Sequence, residues 1–502
     1  MLKLSWWQKN SWWLMALILS CSFVWLRFYK IEVSLAFFND IGRDFLELWE
    51  WQMTGKPPLL GPQTSALPFN QSAVYFYLLM PLYMVTGASL LSTIYTCGLV
   101  QAGLIWLGCW WTAKHQPSWQ KQLWLLIVLL ALQPQMIIQQ RFVWNPSFVA
   151  GWLAIGLLMI WQLLSTPLKN WRWSWLAIWG GAISLAASFT YSVAPVVLAV
   201  GVLSFIWWRF RAIKLWFWAA AGMVVWNVPT LVFELRHQFL LTNLMLHGDK
   251  LSQVPTSWQT KFWELGQYLV GLAPGMVPTQ LPLSQIIWLT WVGLVAGWLL
   301  KELFNWWQWR KTETNWQQFS PRFIFTASWW LLSLIITVLM PVAVQSHYVF
   351  GILLLGLASL VILPHWSRWL VMAVLVSSWL QPSWFQLYWQ PARHSLTELE
   401  ACSQQVCQAV KEPLFVSIQA GYHPYHNGTE YLYLLRRAGC DVKDVANFPN
   451  SADLMAVIVD DSVYEHGKTA YNELTLFGRS KVQETFSCQS NLQVLLLAKT
   501  HD

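Results

Sequence analysis

The chain has 502 residues, of which 56% are hydrophobic and only 11% charged, against roughly 25% charged in an ordinary soluble domain. Its apolar residues come in long uninterrupted runs, which excludes a soluble globular protein and indicates a polytopic α-helical membrane protein. The net charge of +8 is carried by short basic loops and calls for no nucleic-acid partner.

Runs long enough to cross a bilayer, roughly 17 to 25 residues each, fall near residues 12–29, 91–112, 122–138, 147–164, 175–191, 193–208, 215–232, 284–301, 323–341, 347–363 and 369–386, which makes about eleven spans. The first follows Lys3 and Lys9 but is long, rich in tryptophan and without a small-residue cleavage site, as in a retained signal anchor. Many of the 40 tryptophans, Trp6, Trp7, Trp12 and Trp13 among them, sit at run ends, where indole rings favour the boundary of hydrocarbon and water. Only Ser192 and Pro195 separate the two spans between 175 and 208. A shorter, tyrosine-rich stretch, 73–87, is expected to lie at or dip into the surface.

With the N-terminus in the cytoplasm, Lys114, Lys121, Lys169, Arg172, Arg209, Arg211, Lys214, Lys301, Arg310, Lys311, Arg322 and Arg368 fall in short cytoplasmic loops, as the positive-inside rule requires. Letting 73–87 cross would move Lys114 and Lys121 outside and break that pattern. The outer side then holds residues 30–90, 233–283 and a tail from about 388 onward, with Arg141 and His347 in short turns on the same face. This places the protein in the plasma (inner) membrane with its C-terminal part outside. Nothing among the brief cytoplasmic loops resembles a nucleotide-binding domain, so the outer face is the expected working face.

Just beyond the first span, Asn39-Asp40-Ile41-Gly42-Arg43-Asp44 gathers two carboxylates and an arginine in a chain otherwise poor in charge. Spacings of three and four residues put Arg43 and Asp44 on the helical face of Asp40. The plainer account is a pair of exposed acids near the N-terminus of an amphipathic surface helix. A proline-glycine turn, Pro58-Leu59-Leu60-Gly61-Pro62, follows, and then Tyr75-Phe76-Tyr77.

Composition changes after Gln390-Pro391. Phe415–Ile418, Ala456–Val459 and Leu492–Ala498 pattern as strands and Thr429–Ala438 as a helix, so residues 391–502 form a small α/β domain beyond a membrane domain of residues 1–390. Cys402, Cys407, Cys440 and Cys488 lie there. In an oxidising compartment they can form two disulfides, with three connectivities open; buried free thiols are the alternative. The run Gly467-Lys468-Thr469 fails as a phosphate-binding loop because Ser462 stands where its first glycine belongs. Asn70-Gln71-Ser72 and Asn427-Gly428-Thr429 match the glycosylation triplet, which occurs often by chance. Asp460-Asp461, at a strand end, suits a cation, a sugar or a solvated turn.

The ordered motifs of the first outer loop resemble those of the GT-C superfamily of integral-membrane glycosyltransferases, in the branch of protein O-mannosyltransferases and lipid A aminoarabinose transferases. The resemblance runs through residues 1–390 and includes Trp144-Asn145-Pro146-Ser147, Phe233-Glu234-Leu235-Arg236-His237 and His347-Tyr348. The chain departs from many relatives at Asn39, where they carry an acidic residue, and at Ser72-Ala73, where they carry Gly-Pro. The first departure leaves open whether a divalent cation takes part.

The resemblance implies a transferase that takes a sugar from a polyprenyl-phosphate donor and passes it to an envelope lipid, glycan or protein acceptor on the outer face. Transfer to a hydroxyl needs a base, for which Asp40 is the choice, with Arg43 and Asp44 positioning it or the substrates. The leaving phosphate needs positive charge; Arg236 comes first, then Arg141 and Arg43, with His237, His347 and Tyr348 as further donor contacts. Glu234, Tyr75 and Tyr77 are expected to position substrate, although Glu234 also suits pairing with Arg236 or Arg141. Arg141 equally suits an anchor at the headgroups, and each histidine a surface residue. A lipid-sugar flippase would keep charges within its spans and show paired repeats, and none is found; a non-catalytic envelope scaffold would have no use for the charged motif.

Overall fold

A computed structural model describes residues 6–35, 37–64, 70–115, 119–141, 143–247, 257–270, 282–312, 320–341, 343–363, 369, 373, 376, 379, 390–420, 428–460, 472–488 and 492–500. In chain order the helices are α1 (Trp6–Phe28), α2 (Ile31–Ser34), α3 (Asn39–Thr54), α4 (Val74–Val85), α5 (Leu90–His115), α6 (Gln120–Leu132), α7 (Pro134–Gln140), α8 (Val149–Leu164), α9 (Trp173–Phe189), α10 (Ala194–Trp208), α11 (Ala212–Trp226), α12 (Val228–Arg236), α13 (Leu240–His247), α14 (Trp258–Val270), α15 (Pro282–Thr312), α16 (Pro321–Leu339), α17 (Phe350–Ile362), α18 (Leu396–Ala409), α19 (Thr429–Arg437) and α20 (Asn472–Phe477). The strands are β1 (Leu414–Ala420), β2 (Leu454–Asp460), β3 (Ser480–Ser487) and β4 (Gln493–Lys499). By their contacts these elements fall into two units, Met1–Tyr29 with Pro58–Leu82 and Ile94–Tyr388, and Lys30–Pro57 with Tyr83–Thr93 and Trp389–Asp502. The second unit therefore takes in, besides the tail, the segment that carries Asp40.

The first unit is the helical membrane region. Leu14, Leu17, Ile18, Ile206 and Leu300 are exposed on its helices, as residues facing hydrocarbon would be. Prolines set its breaks. Pro134 has no N–H to continue α6 and disfavours helix at Gln133, so α6 stops at Leu132 and α7 starts afresh; the carbonyls freed there, of Leu130 and Ala131, accept from Arg27 at 3.3 and 3.0 Å. Pro229 similarly separates α12 from α11 at Asn227. The separation read at Ser192 and Pro195 is a 3-10 turn, Tyr191–Val193, in which the Thr190 hydroxyl accepts from the Ser192 amide.

Five of the described helical stretches are long and apolar enough to cross a membrane, and six if the bent pair Val74–Val85 and Leu90–Gln101, at 112°, counts as one. Gln122–Leu132, Trp173–Phe189 and His347–Ile362 are apolar but shorter. Most of the span expected at 369–386 lies outside the described residues.

Tryptophan is also a core residue here. Trp161, Trp179, Trp288, Trp291, Trp329 and Trp330 are fully buried. Trp161 Nε1 donates to Thr326 Oγ1 at 2.8 Å and Trp329 Nε1 to the Val196 carbonyl at 2.7 Å, which meets the cost of burying a polar N–H.

In the second unit a four-stranded sheet has the order β1-β2-β4-β3, with β1 and β2 parallel and β4 antiparallel to both its neighbours. Parallel strands need a crossover, and α19 supplies it. Phe415, Met455, Val457, Val459, Phe477 and Leu497 form the core against one face. Ser395 and Glu398 close a capping box at the start of α18. The cysteines pair as Cys402–Cys488 and Cys407–Cys440, which selects one of the three connectivities. All three expected strands and the expected helix are present; α18, α20 and β3 are additional. The segment Gly467-Lys468-Thr469, Asn427 and Asp461 lie outside the described residues.

Candidate functional site

The charged motif forms the first turn and a half of α3. Phe38, extended at the N-cap, offers no capping side chain, and Gly55 closes the helix in the left-handed conformation with φ 68°. Arg43 lies between the two carboxylates. Its Nη1 donates to Asp40 Oδ1 at 2.9 Å, while Nε and Nη2 donate to Asp44 Oδ1 at 3.0 and 2.8 Å. Asp44 is fully buried, whereas the Asp40 side chain keeps 34% exposure. A buried carboxylate needs a paired cation, so Arg43 neutralises Asp44 and holds Asp40 in place at the accessible end.

One turn on, the same face carries Glu47. Burial pushes its carboxyl up to about 7, with help from Glu50 and Asp44 and against the pull of Arg43. Sequence inspection passed over this residue because a lone glutamate in an amphipathic helix has no motif; its position seven residues after Asp40 was the available signal.

The other side of α3 packs on α19. The Thr429 hydroxyl donates to the Asn39 carbonyl at 3.1 Å and meets Asn39 Oδ1. A Cβ at Gly42 would lie 2.2 Å from Glu430 Cα, so only glycine permits this approach of the two backbones. Phe45 and Phe37 lie against the Tyr433 ring, centroids 6.0 and 6.2 Å apart, and Arg436 pairs with Glu50.

In the first unit, the turn at Pro58–Pro62 closes on the strand-like segment that follows it. The Gly61 amide donates to the Gln71 carbonyl at 2.9 Å, the Gln71 amide to that of Pro62 at 2.8 Å, and Asn70 Nδ2 to that of Gly61 at 2.9 Å. Tyr75 is buried among Phe76, Phe148 and Phe189, its hydroxyl donating to the Val143 carbonyl at 3.1 Å. Tyr77, two residues on and toward the opposite side of the helix, is half-buried. Asn145 is buried, donating to the Phe189 carbonyl at 2.7 Å and to Gln71.

Arg141, 3% exposed, donates to the carbonyls of Arg27 and Tyr29 at 3.1 and 3.2 Å. Glu234 pairs with neither arginine considered for it. Its carboxylate accepts from the amides of Leu241 and Thr242 at 2.8 and 3.0 Å and from the Thr242 hydroxyl, capping α13. Burial raises the Glu234 carboxyl, but these hydrogen bonds and His237 outweigh it and hold the group below the usual carboxylate range. Arg236 is exposed and makes no ion pair among the described residues. His237 stacks on Phe233 with centroids 4.0 Å apart. His347 lies against Trp144 and Tyr348, at 4.9 and 4.6 Å.

Charged groups are placed by tertiary contacts at two further positions. Lys261 of α14 is buried and donates to the Met340 carbonyl at the end of α16. In the second unit Asp460, at the end of β2, pairs with Arg393 at 2.9 Å and lies as close to His394. Among the described residues no three His, Cys, Asp or Glu side chains are grouped to hold a metal ion.

No family model and no curated protein matches the sequence. Solved structures do match in shape. The crystal structure of ArnT from Cupriavidus metallidurans bound to undecaprenyl phosphate superposes with a TM-score of 0.56 and 11% identity, over 97% of this chain and 98% of that one. Its apo state matches with the same TM-score and coverage at 12% identity. The chain has the ArnT fold. The likeness is one of fold and extends over nearly the whole chain, the tail included.

Proposed function

We propose that this protein is a membrane glycosyltransferase that moves a sugar from a polyprenyl-phosphate donor to a hydroxyl of an envelope acceptor on the outer face. The observation that carries this reading is the fold shared with ArnT over 97% of the chain, a protein whose structure was solved with undecaprenyl phosphate bound. A donor that enters from the bilayer explains why the cytoplasmic loops need no nucleotide-binding domain. The two disulfides of the tail support the outer placement, because such bonds persist in oxidising compartments.

In this reading the acceptor oxygen attacks the anomeric carbon of the sugar and gives its proton to the Asp40 carboxylate, while the bond from that carbon to the phosphate oxygen breaks and polyprenyl phosphate leaves. Arg43 fixes the carboxylate, and Asp44 fixes Arg43. Arg236 is the leading ligand for the phosphate, being exposed and directly after a span. Arg141 is spent on backbone carbonyls and Glu234 on a helix end, which makes both better suited to building the site than to touching substrate.

The test is transfer of label from a panel of radiolabelled undecaprenyl-phosphate sugars to a crude envelope acceptor, with wild type set against Asp40→Asn. Wild type is expected to label the acceptor, and the variant to insert normally but transfer nothing. Equal transfer by both removes Asp40 from the chemistry; movement of lipid across vesicles without transfer identifies a flippase.

A further inference from the structure

The N-terminus of α3 lacks the device that usually fixes a helix start. Phe38 at its N-cap makes no side-chain hydrogen bond, although capping by a side chain is worth about 0.5–2 kcal/mol in many helices. Asp40 stands in that first turn, where an uncapped helix frays most readily. The proposed base is thus carried on the part of α3 least able to hold its own geometry.

What holds it comes from the tail. Thr429 is the first residue of α19, and its hydroxyl grips the carbonyl and side-chain oxygens of Asn39, the residue before Asp40. Gly42 brings the α3 backbone directly onto Glu430. From there the contacts continue in the same order along both helices: Phe45 with Tyr433, then Glu50 with Arg436. Two ends of α3 are thereby tied to α19, and the tie nearest Asp40 is a single hydroxyl.

We infer that Thr429 is a positioning residue for Asp40: by donating to the Asn39 oxygens, the tail anchors the start of the catalytic helix from outside it. This rests on the role proposed for Asp40, but its physical content is separate from it. Thr429 touches Asn39 and no reacting atom, so its loss should impair the rate of the chemical step and leave donor binding alone. A 1 Å displacement of a reacting group is enough to cost about a hundredfold.

The experiment compares wild type, Thr429→Val and Thr429→Ser as full-length, detergent-purified protein with both disulfides intact. Valine keeps the shape and removes the hydroxyl; serine restores it. Hydrogen exchange measured by mass spectrometry on peptides covering residues 39–48 reads the helix start without any substrate. The expected result is faster exchange at residues 40–44 in the valine variant, unchanged exchange in β1, β2 and β4, and wild-type behaviour in the serine variant. In the labelled undecaprenyl-phosphate sugar assay, kcat of the valine variant should fall by about ten- to a hundredfold with KM unchanged, and serine should recover it.

Wild-type exchange in the valine variant overturns the inference. So does faster exchange throughout the tail, or a loss of rate that serine does not recover, because each makes Thr429 a general structural residue. If wild type transfers none of the sugars while the exchange pattern appears as expected, the proposed function fails and the external anchor stands.

Discussion

Arg27 and Arg141 each donate to carbonyls at the end of a helix, and the helix end that Arg141 reaches is the one that carries Arg27. Arg27, near the end of α1, donates to the carbonyls of Leu130 and Ala131 at the end of α6, and Arg141, just after α7, donates to the carbonyls of Arg27 and Tyr29 where α1 ends. A cation at a helix C-terminus also meets the negative end of the helix dipole. The exchange ties α1 to the end of α6 and to the residue that follows α7.

Replacing Arg141 by glutamine is accordingly expected to lower the melting temperature in detergent, by an amount corresponding to about 1.5–3 kcal/mol for charged hydrogen bonds left unmade. The surviving folded enzyme should keep its KM for the lipid donor. A tenfold rise in KM without loss of stability would instead return Arg141 to the donor site.

Glu47 introduces a pH dependence near neutrality. Its carboxyl is raised from 4.5 to about 7, so the folded protein binds a proton more tightly than the unfolded chain. The resulting stabilisation is complete below about pH 4.5 and is lost as pH rises through about 7. Thermal unfolding of the tail-containing unit followed from pH 5 to 8 should show this decline in wild type, and Glu47→Gln should flatten it. An unchanged slope in the variant would assign the decline elsewhere.

Glu234 behaves in the opposite sense. Its carboxyl is held below the usual range, so the stability it contributes is present above about pH 4.5 and is lost as pH falls. Limited proteolysis within residues 237–247 should therefore increase on acidification in wild type. In Glu234→Gln it should be elevated at neutral pH and vary less with pH.

Gly42 tests the backbone approach directly. A methyl group added there meets the Cα of Glu430 at 2.2 Å, which neither backbone can yield cheaply, and overpacking of this kind costs about 1–3 kcal/mol. Gly42→Ala is expected to lower the unfolding temperature and open the tail to protease, while Gly55→Ala, at a position with open space but φ 68°, should cost less. Equal stability of Gly42→Ala and wild type would mean that α3 and α19 do not meet as described.

Much of the architecture was legible because hydrophobic run length and short-range patterning report it locally. The spans near 147–164, 284–301 and 323–341 and the three tail strands follow from patterning of that kind. What escaped depends on contacts between distant residues. Arg27 and Arg141 are separated by 114 positions and Thr429 from Asn39 by 390, and no periodicity connects them. The Asp40-Arg43-Asp44 cluster was visible because helical spacing alone brings it together; the burial of Asp44, and hence its difference from Asp40, depends on tertiary packing that spacing does not report. Glu234 looked like a partner for arginine because charge is visible in sequence, whereas the turn that aims the amides of α13 at it is not.

The contact between Asn39 and Thr429 also bears on how the protein is made. The helix carrying Asp40 is synthesised some 390 residues ahead of the hydroxyl that anchors it. Until Thr429 has been added, the start of α3 lacks that contact. Chains truncated before Thr429 would therefore carry Asp40 without this anchor, and under the proposed function they are expected to be inactive.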